Sequence, residues 1–330
     1  MPKIRPSNSS RSNASSALKS GGTHDKRISV TLTDLRAMAG HAKALTFLPH
    51  QPAGSVLNGR HASRLRGRGL NFEEIRGYLP GDDVRSIDWK VTARTGKPHI
   101  RVFTEERDRP VLIVLDQRMS MFYGTALNMK SVTAAETAAL IAFRILDQGD
   151  RVGGIVFGDK RLAEIRPARN QRSLNLFLAA IVEANTHLRA DAPTVAPMPL
   201  NKTLEAVSQI ARHDHLVIIL SDFDGVDERT ETMLCGLSRH NDVVIGLVTD
   251  PTAHMVQEDL RFVVSDGTLQ AEIDTGSPQI RQALSEFSTD RFAEVERWAR
   301  RAGIPVMPLS AGKETLPQIR QLFGLRRRPR

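Results

Sequence analysis

From residue 110 onward, short apolar runs alternate with segments of helical periodicity. The runs VLIVLD, RVGGIVF, HLVIILSD, DVVIGLVTD and GIPVMPLS are dominated by β-branched and aliphatic residues, as expected for strands covered on both faces. Helical patterns such as MKSVTAAETAALIAFRILDQ and LNKTLEAVSQIARH lie between them. This alternation predicts parallel strands joined by right-handed crossovers, and therefore a doubly wound, mainly parallel, Rossmann-type three-layer α/β domain over residues 109–310.

The chain before this domain has a different character. Residues 1–27 are rich in serine with almost no apolar residues, which predicts a disordered basic tail. Residues 28–59 contain the helical pattern TDLRAMAGHAKAL, with Thr33 or Asp34 as its cap, followed by a linker. Residues 60–108 combine short alternating segments with Gly and Pro, so we expect a small β-rich subdomain with HIRVF as its clearest strand. Residues 311–330 are expected to form a helix and a basic tail.

The net charge of +9 is concentrated at the two ends of the chain. Residues 1–27 and 311–330 each carry a net charge of +5, which leaves −1 for the residues between them. Basic tails can bind nucleic acid or anionic membranes, although aromatic residues, at 5% of the chain, are too few for a base-stacking surface. The single cysteine, Cys235, and the lack of a long apolar run predict a cytoplasmic protein.

Three predicted strands end in aspartate at the edge of the sheet where α/β proteins bind their ligands. Asp250 precedes Pro251, which favours a helix cap or a turn. Asp116 and Asp222 instead lie in the serine-containing loops DQRMS and SDFD. Carboxylate and hydroxyl oxygens are the ligands that Mg²⁺ and Mn²⁺ prefer, so these loops indicate a cation site that includes Ser120.

The segment LPGDDVRSIDW supplies three further carboxylates after a predicted tight turn: Asp82, Asp83 and Asp88. The simpler interpretation is that they are turn and ion-pair residues satisfied by nearby arginines, namely Arg76, Arg85 and Arg94. The alternative is an acid–base pair of a metal-dependent hydrolase. No phosphate-binding G-x-x-x-x-G-K-[ST] motif occurs, because SAGKET lacks its first glycine and the Ser or Thr after lysine. We therefore expect a binding module that is not an enzyme.

Residues 67–121 resemble the bacterial domain-of-unknown-function family 58, whose signature includes R-x-Y-x-P-G-D-D-x-R-x-I-D-W. The matching residues include Arg76, Tyr78, Pro80, Gly81, Asp82, Asp83, Arg85, Asp88, Trp89 and Arg94. The chain from there to about residue 310 resembles the von Willebrand factor A-type domain that accompanies this signature. The resemblance implies a cytoplasmic or membrane-peripheral partner of MoxR-type AAA+ ATPases that acts in chaperone-like assembly or maturation of a client protein.

The resemblance also gives the cation site a template. The metal-ion-dependent adhesion site of von Willebrand factor A-type domains uses D-x-S-x-S, a threonine and a second aspartate. Asp116, Ser120 and Asp222 match this pattern, whereas Arg118 replaces the first serine. Two threonines lie in the region of the missing ligand: Thr194 and Thr203. No cofactor is assigned.

The role of Arg118 remains open among three alternatives. Its guanidinium forms an internal counter-ion to the carboxylates, or it points to solvent beside an empty loop, or Mg²⁺ or Mn²⁺ binds despite it. The expected function is an adaptor that engages an ATPase or a client through a degenerate adhesion site. The alternatives are a metal-dependent hydrolase and a protein that binds nucleic acid or anionic membranes through its tails.

Overall fold

The computed structural model describes residues 24–43, 45, 70–80, 82–105, 109–193, 195–251, 261–265, 270–274 and 292–323. Most of the predicted N-terminal tail and linker, the last seven residues, Gly81 and Thr194 lie outside the described residues. In the described part of the chain, no helix combines the length and the apolar composition needed to cross a bilayer.

The described residues form strands and helices in the following order. The strands are β1 (Leu70–Gly77), β2 (His99–Glu105), β3 (Val111–Asp116), β4 (Val152–Phe157), β5 (Leu162–Ala168), β6 (Leu216–Ser221), β7 (Asp242–Thr249), β8 (Arg261–Ser265), β9 (Gln270–Asp274) and β10 (Val306–Ser310). The helices are α1 (Leu32–Ala42), α2 (Trp89–Thr95), α3 (Lys130–Asp147), α4 (Gln171–Thr186), α5 (Leu200–Ile210), α6 (Glu228–Ser238), α7 (292–302) and α8 (Thr315–Phe323). Short 3₁₀ turns cover Val84–Ser86 and Met119–Met121.

A six-stranded sheet with the order β10-β7-β6-β3-β4-β5 forms the centre of the molecule. Every neighbouring pair is parallel except β4 and β5, which run antiparallel. The predicted α/β class with a mainly parallel sheet is therefore confirmed. The sequence did not predict β5, because its residues are only partly buried at the edge of the sheet and lack a continuous apolar run.

Both faces of the sheet are covered, as the apolar strands require. Val111, Ile113 and Leu115 of β3 pack in one core with α1, α3, α4 and α8, whereas Leu112 and Val114 pack in a second core with α5, α6 and α7. Gly154 of β4 allows α4 to approach closely, because a Cβ at this position would overlap the ring of Phe177. Two apolar layers therefore hold the carboxyl edge of β3 in place.

The helix α1 begins earlier than the sequence predicted. Its N-cap is Thr31, not Thr33 or Asp34, and the side chains of Thr31 and Asp34 form a capping box. Asp34 also receives hydrogen bonds or ion pairs from His24 and Lys26. The capping geometry therefore assigns Asp34 to the third helical position.

The small subdomain consists of the antiparallel pair β1–β2, the 3₁₀ turn and α2. The predicted strand HIRVF corresponds to β2. The helix α2 was not predicted, because its seven residues are too few for a clear helical period. The prediction of a β-rich unit is therefore incomplete.

Candidate functional site

The candidate site lies where the adjacent parallel strands β3 and β6 end. Asp116 is the last residue of β3 and Asp222 directly follows β6, so the pairing of these strands brings both carboxylates to the same edge of the sheet. Both residues are buried. Two carboxylates removed from water require donors or cations as partners, and these partners determine what the site can bind.

The Asp116 carboxylate is fully occupied by donors from the chain itself. The Arg118 guanidinium donates from Nη2 to Oδ2 at 2.8 Å and from Nε to Oδ1 at 3.1 Å. The backbone N–H of Arg118 donates to Oδ1 at 2.9 Å, and the Ser221 hydroxyl donates to Oδ2 at 2.6 Å. The guanidinium therefore covers the carboxylate oxygens with which Asp116 would otherwise bind a metal ion.

Arg118 points into the protein and is only 2% exposed. Its Nη1 donates to the carbonyl oxygen of Met198 at 3.2 Å, and its Cζ lies 5.5 Å from the centre of the Phe157 ring. Burial by itself would lower the pKa of the guanidinium, but the charge and hydrogen bonds of Asp116 outweigh burial and hold that pKa above its ordinary value. The geometry therefore matches the internal counter-ion alternative and not a side chain in solvent.

Asp222 has a second cation, which the sequence interpretation did not include. Lys130 Nζ lies 2.6 Å from Asp222 Oδ2, while Ser120 Oγ and the backbone N–H of Asp224 donate to Oδ1 at 3.3 and 3.1 Å. Burial would raise the pKa of Asp222, but Lys130 outweighs burial and the pKa is lowered. Each aspartate thus has its own cation: the Arg118 side chain hydrogen-bonds to Asp116, and Lys130 hydrogen-bonds to Asp222.

A sequence signal for Lys130 does exist. It is the first residue of α3, and a positive charge at a helix N-terminus is electrostatically unfavourable unless a nearby anion compensates it. The turn after β6 is also unusual, because the buried Phe223 adopts a positive φ of 55° while its N–H donates to Ser221 Oγ. This strained turn orients Asp222 toward Lys130 and Ser120.

A third carboxylate, Asp159, follows β4 and binds the loop after β3. Its Oδ2 accepts a hydrogen bond from the backbone N–H of Met119 at 3.0 Å, whereas its Oδ1 is buried without a partner within the described residues. Burial raises the pKa of Asp159, although the Met119 N–H and Arg118 oppose the shift. The loop that carries Arg118 is therefore attached to two strands.

Asp250, which directly follows β7, attaches the same loop. The cap or turn expected of Asp250 would involve the residues after Pro251, which lie outside the described residues. The Asp250 carboxylate accepts hydrogen bonds from the N–H and the hydroxyl of Thr125 at 2.8 and 2.6 Å. Asp250 is buried, whereas Thr125 is exposed, so the pair joins the surface of the loop to the interior. The carboxyl ends of three strands thus fix the loop between β3 and α3.

The donor set does not fit Mg²⁺ or Mn²⁺ while Arg118 and Lys130 remain in place. A dication would have to displace a cation from each carboxylate, and its positive charge would be repelled by both. The hydroxyl of Thr203 faces Met198 Sδ at 4.0 Å, and Thr194 lies outside the described residues. Across the described ranges, no group of three or more His, Cys, Asp or Glu residues is arranged to hold a metal ion.

The carboxylates of the N-terminal signature are used for local structure. Arg76 forms a bidentate ion pair with Asp82 at 2.8 and 2.9 Å. Asp83 caps the 3₁₀ turn, and Asp88 caps α2 by accepting hydrogen bonds from two backbone N–H groups. The predicted partnership with Arg85 involves only its backbone N–H, and Arg94 forms no ion pair within the described residues. The structure therefore does not assemble these aspartates around one reacting point.

Comparison with known proteins gives the family. Uncharacterized proteins from Mycobacterium tuberculosis and Mycobacterium bovis are 28% identical over 299 residues, which cover 88% of this chain and 90% of each relative. Similar solved structures include the conserved hypothetical protein BatB from Bacteroides thetaiotaomicron, with 14% identity and a TM-score of 0.35 over 58% of this chain and 99% of that chain. The VWA domain of SpRpn10 is 10% identical, with a TM-score of 0.34 over 64% of this chain and 94% of that chain. The model of the family described as "Protein of unknown function DUF58" matches residues 74–294, more than half of the chain, so the chain belongs to the DUF58 family.

Proposed function

We propose that the chain is a non-enzymatic binding module that docks a partner protein at the carboxyl edge of its central sheet. The observation that carries this proposal is the pairing of Asp116 with Arg118 and of Asp222 with Lys130. A metal-dependent adhesion site needs an ion to complete its charge. Here two side chains supply that charge, so the docking surface is complete without an ion.

The rim of the site has the side chains that a protein interface uses. Met119 and Tyr123 are exposed beside the buried ion pairs, and the Tyr123 ring lies 5.8 Å from Lys130 Nζ. Exposed aromatic and methionine side chains are enriched at interfaces. Because Asp159 and Asp250 fix the loop that carries them, a partner would meet a preorganised surface and lose little conformational entropy on binding.

The same contacts argue against the hydrolase alternative. A general base needs a pKa near the working pH, whereas Lys130 lowers the pKa of Asp222. The Asp82 carboxylate is held by Arg76, which also lowers its pKa, and Asp88 accepts hydrogen bonds from the first turn of α2. These carboxylates stabilise the fold and are not free to accept a proton from a substrate.

The proposed partner is a MoxR-type AAA+ ATPase or its client, which is the class that the family resemblance implies. The test is the affinity of the full chain for the purified MoxR-type ATPase from the same organism, measured by biolayer interferometry. We expect binding that Met119→Asp and Tyr123→Ala weaken together. Leu176→Asp is the matched control, because Leu176 is exposed on α4. Equal binding by all variants would contradict docking at this edge.

A further inference from the structure

Exposed apolar side chains are concentrated in the small subdomain. Leu79, Val84 and Trp89 are 61%, 59% and 69% exposed, and they lie within eleven consecutive residues. Trp298, in contrast, is buried in the sheet domain. Burial of apolar surface away from water is favourable in free energy. An exposed tryptophan with two exposed aliphatic neighbours can gain this free energy only when another surface covers it.

Backbone hydrogen bonds bring the two ends of this stretch together. The N–H of Tyr78 donates to the carbonyl oxygen of Pro98, and the N–H of Asp88 donates to the carbonyl oxygen of His99, at 2.9 and 2.8 Å. Successive carbonyl groups of an extended strand point to opposite sides, so Tyr78 and Asp88 are held on the two sides of β2, and Leu79 and Trp89 flank the start of this strand. The segment between them is closed by the ion pair of Arg76 with Asp82 and by the Asp83 cap. The carboxylates of the family signature thus build a rigid support for exposed apolar residues.

Three exposed cations lie close to these apolar residues in the chain. Arg85, Lys90 and Arg94 are exposed, and none forms an ion pair with a carboxylate in the described part of the chain. Lys90 and Arg94 lie four residues apart on α2, a spacing at which like charges repel and destabilise the helix. An anionic partner would relieve this repulsion.

We infer that Leu79, Val84 and Trp89, with Arg85, Lys90 and Arg94 around them, form a second docking surface, the Trp89 surface. Its partner is a protein segment that combines acidic and apolar side chains. Tryptophan and arginine are the residue types that contribute most at interfaces, and the charges complement an acidic segment. The tails of this chain are both basic and would be repelled.

The test uses the full chain and a fluorescein-labelled amphipathic peptide with Glu on one face and Leu on the other. Fluorescence anisotropy should show saturable binding that weakens as salt rises. Trp89→Ala and the double variant Lys90→Glu/Arg94→Glu should each weaken it by about fivefold or more, as at interface hot spots. All three side chains are exposed, so these variants should keep the wild-type melting temperature. Leu176→Ala, which removes an exposed apolar side chain elsewhere, should bind like the wild type.

Four outcomes would overturn the inference. A matched peptide with Lys in place of Glu would bind equally well, or the acidic peptide would not bind at all. Vesicles of phosphatidylcholine and phosphatidylglycerol would bind more tightly than the peptide and compete with it. Sedimentation of the full chain would show self-association that Trp89→Ala abolishes, which would assign the surface to a second copy. Failure of this test leaves docking at the sheet edge unaffected, because Trp89 is not part of that site.

Discussion

The Arg118–Asp116 pair determines the chemistry of the loop that follows β3. In a D-x-S-x-S loop the third residue contributes a neutral oxygen, whereas here a guanidinium forms two parallel hydrogen bonds to the first carboxylate. The pair is nearly inaccessible to water, so its desolvation cost is high and its partners must remain together. Removing either partner leaves an uncompensated buried charge.

Arg118→Ala should therefore lower the free energy of unfolding by about 3–5 kcal/mol, because Asp116 would remain buried without its cation. Urea denaturation followed by far-UV circular dichroism measures this change. Arg161→Ala is the matched control, since Arg161 pairs with Glu183 on the exposed surface and should unfold close to the wild type. Equal stability of the two variants would show that the buried pair does not contribute to folding.

Asp159 gives a stability effect of the opposite sign to that of Asp222. Burial raises the pKa of Asp159 in the folded state, so the folded state binds its proton more readily than the unfolded state does. Ionisation of Asp159 consequently destabilises the protein above its folded pKa. Asp222 has a lowered pKa, so its contribution is present above the unfolded pKa and is lost as the pH falls through the folded pKa.

Asp159→Asn should stabilise the protein at pH 7 by less than about 1 kcal/mol, because the site is only partly shielded from solvent. The Asn side chain can still accept the hydrogen bond from the Met119 N–H. The gain should shrink as the pH falls below the folded pKa of Asp159, since the wild-type carboxyl then becomes neutral too. Urea midpoints at several pH values measure the effect, and a gain that grows toward acid pH would refute this assignment.

At the scale of elements, the first turn of α2 depends on Asp88. This helix has only seven residues, so a single cap satisfies a large part of its free N–H groups. Asp88→Ala should destabilise it by about 1 kcal/mol. Hydrogen exchange should then show loss of protection at the Lys90 and Val91 amides, which donate to Asp88. Asp83→Ala, the control, removes one exposed hydrogen bond of a different cap and should leave both amides protected. Loss of protection at these amides in the control would contradict the assignment of Asp88 as their cap.

Much of the architecture was predictable because the central strands are short, continuous apolar runs. Such runs are typical of parallel strands whose two faces are both covered by helices. The run VLIVLD became β3 with every residue buried. The edge strand β5 and the helix α2 were missed, because a partly exposed edge and a seven-residue helix leave a weak period. Partial exposure alone does not hide an element, because β10 is also partly exposed and was predicted from the run GIPVMPLS.

The candidate site was predictable only in part. Asp116, Ser120 and Asp222 follow from strand ends and loop composition, and the structure brings them to one edge. Lys130 was missed because its position at the start of α3 indicates only that an anion is needed, whereas the contact with Asp222 joins residues 92 positions apart. The correct partner of each aspartate depends on the register of β3 against β6 and on the turn at Phe223.

Across the complete chain, we propose that two parts divide the docking function between them. The sheet domain presents a loop fixed by ion pairs at its carboxyl edge, and the small subdomain presents the Trp89 surface. Two separate docking surfaces suit a protein that brings an ATPase and a client together, as proposed above.

We propose that Arg118 and Lys130 complete the charge of the site in place of a metal ion. Isothermal titration calorimetry of Mn²⁺ into the metal-free full chain tests it most directly. We predict no binding at millimolar Mn²⁺ for the wild type. Arg118→Ser alone should bind weakly at most, because Lys130 still holds Asp222, whereas Arg118→Ser/Lys130→Ala should bind measurably. Stoichiometric binding by the wild type that Asp116→Ala abolishes would contradict the claim.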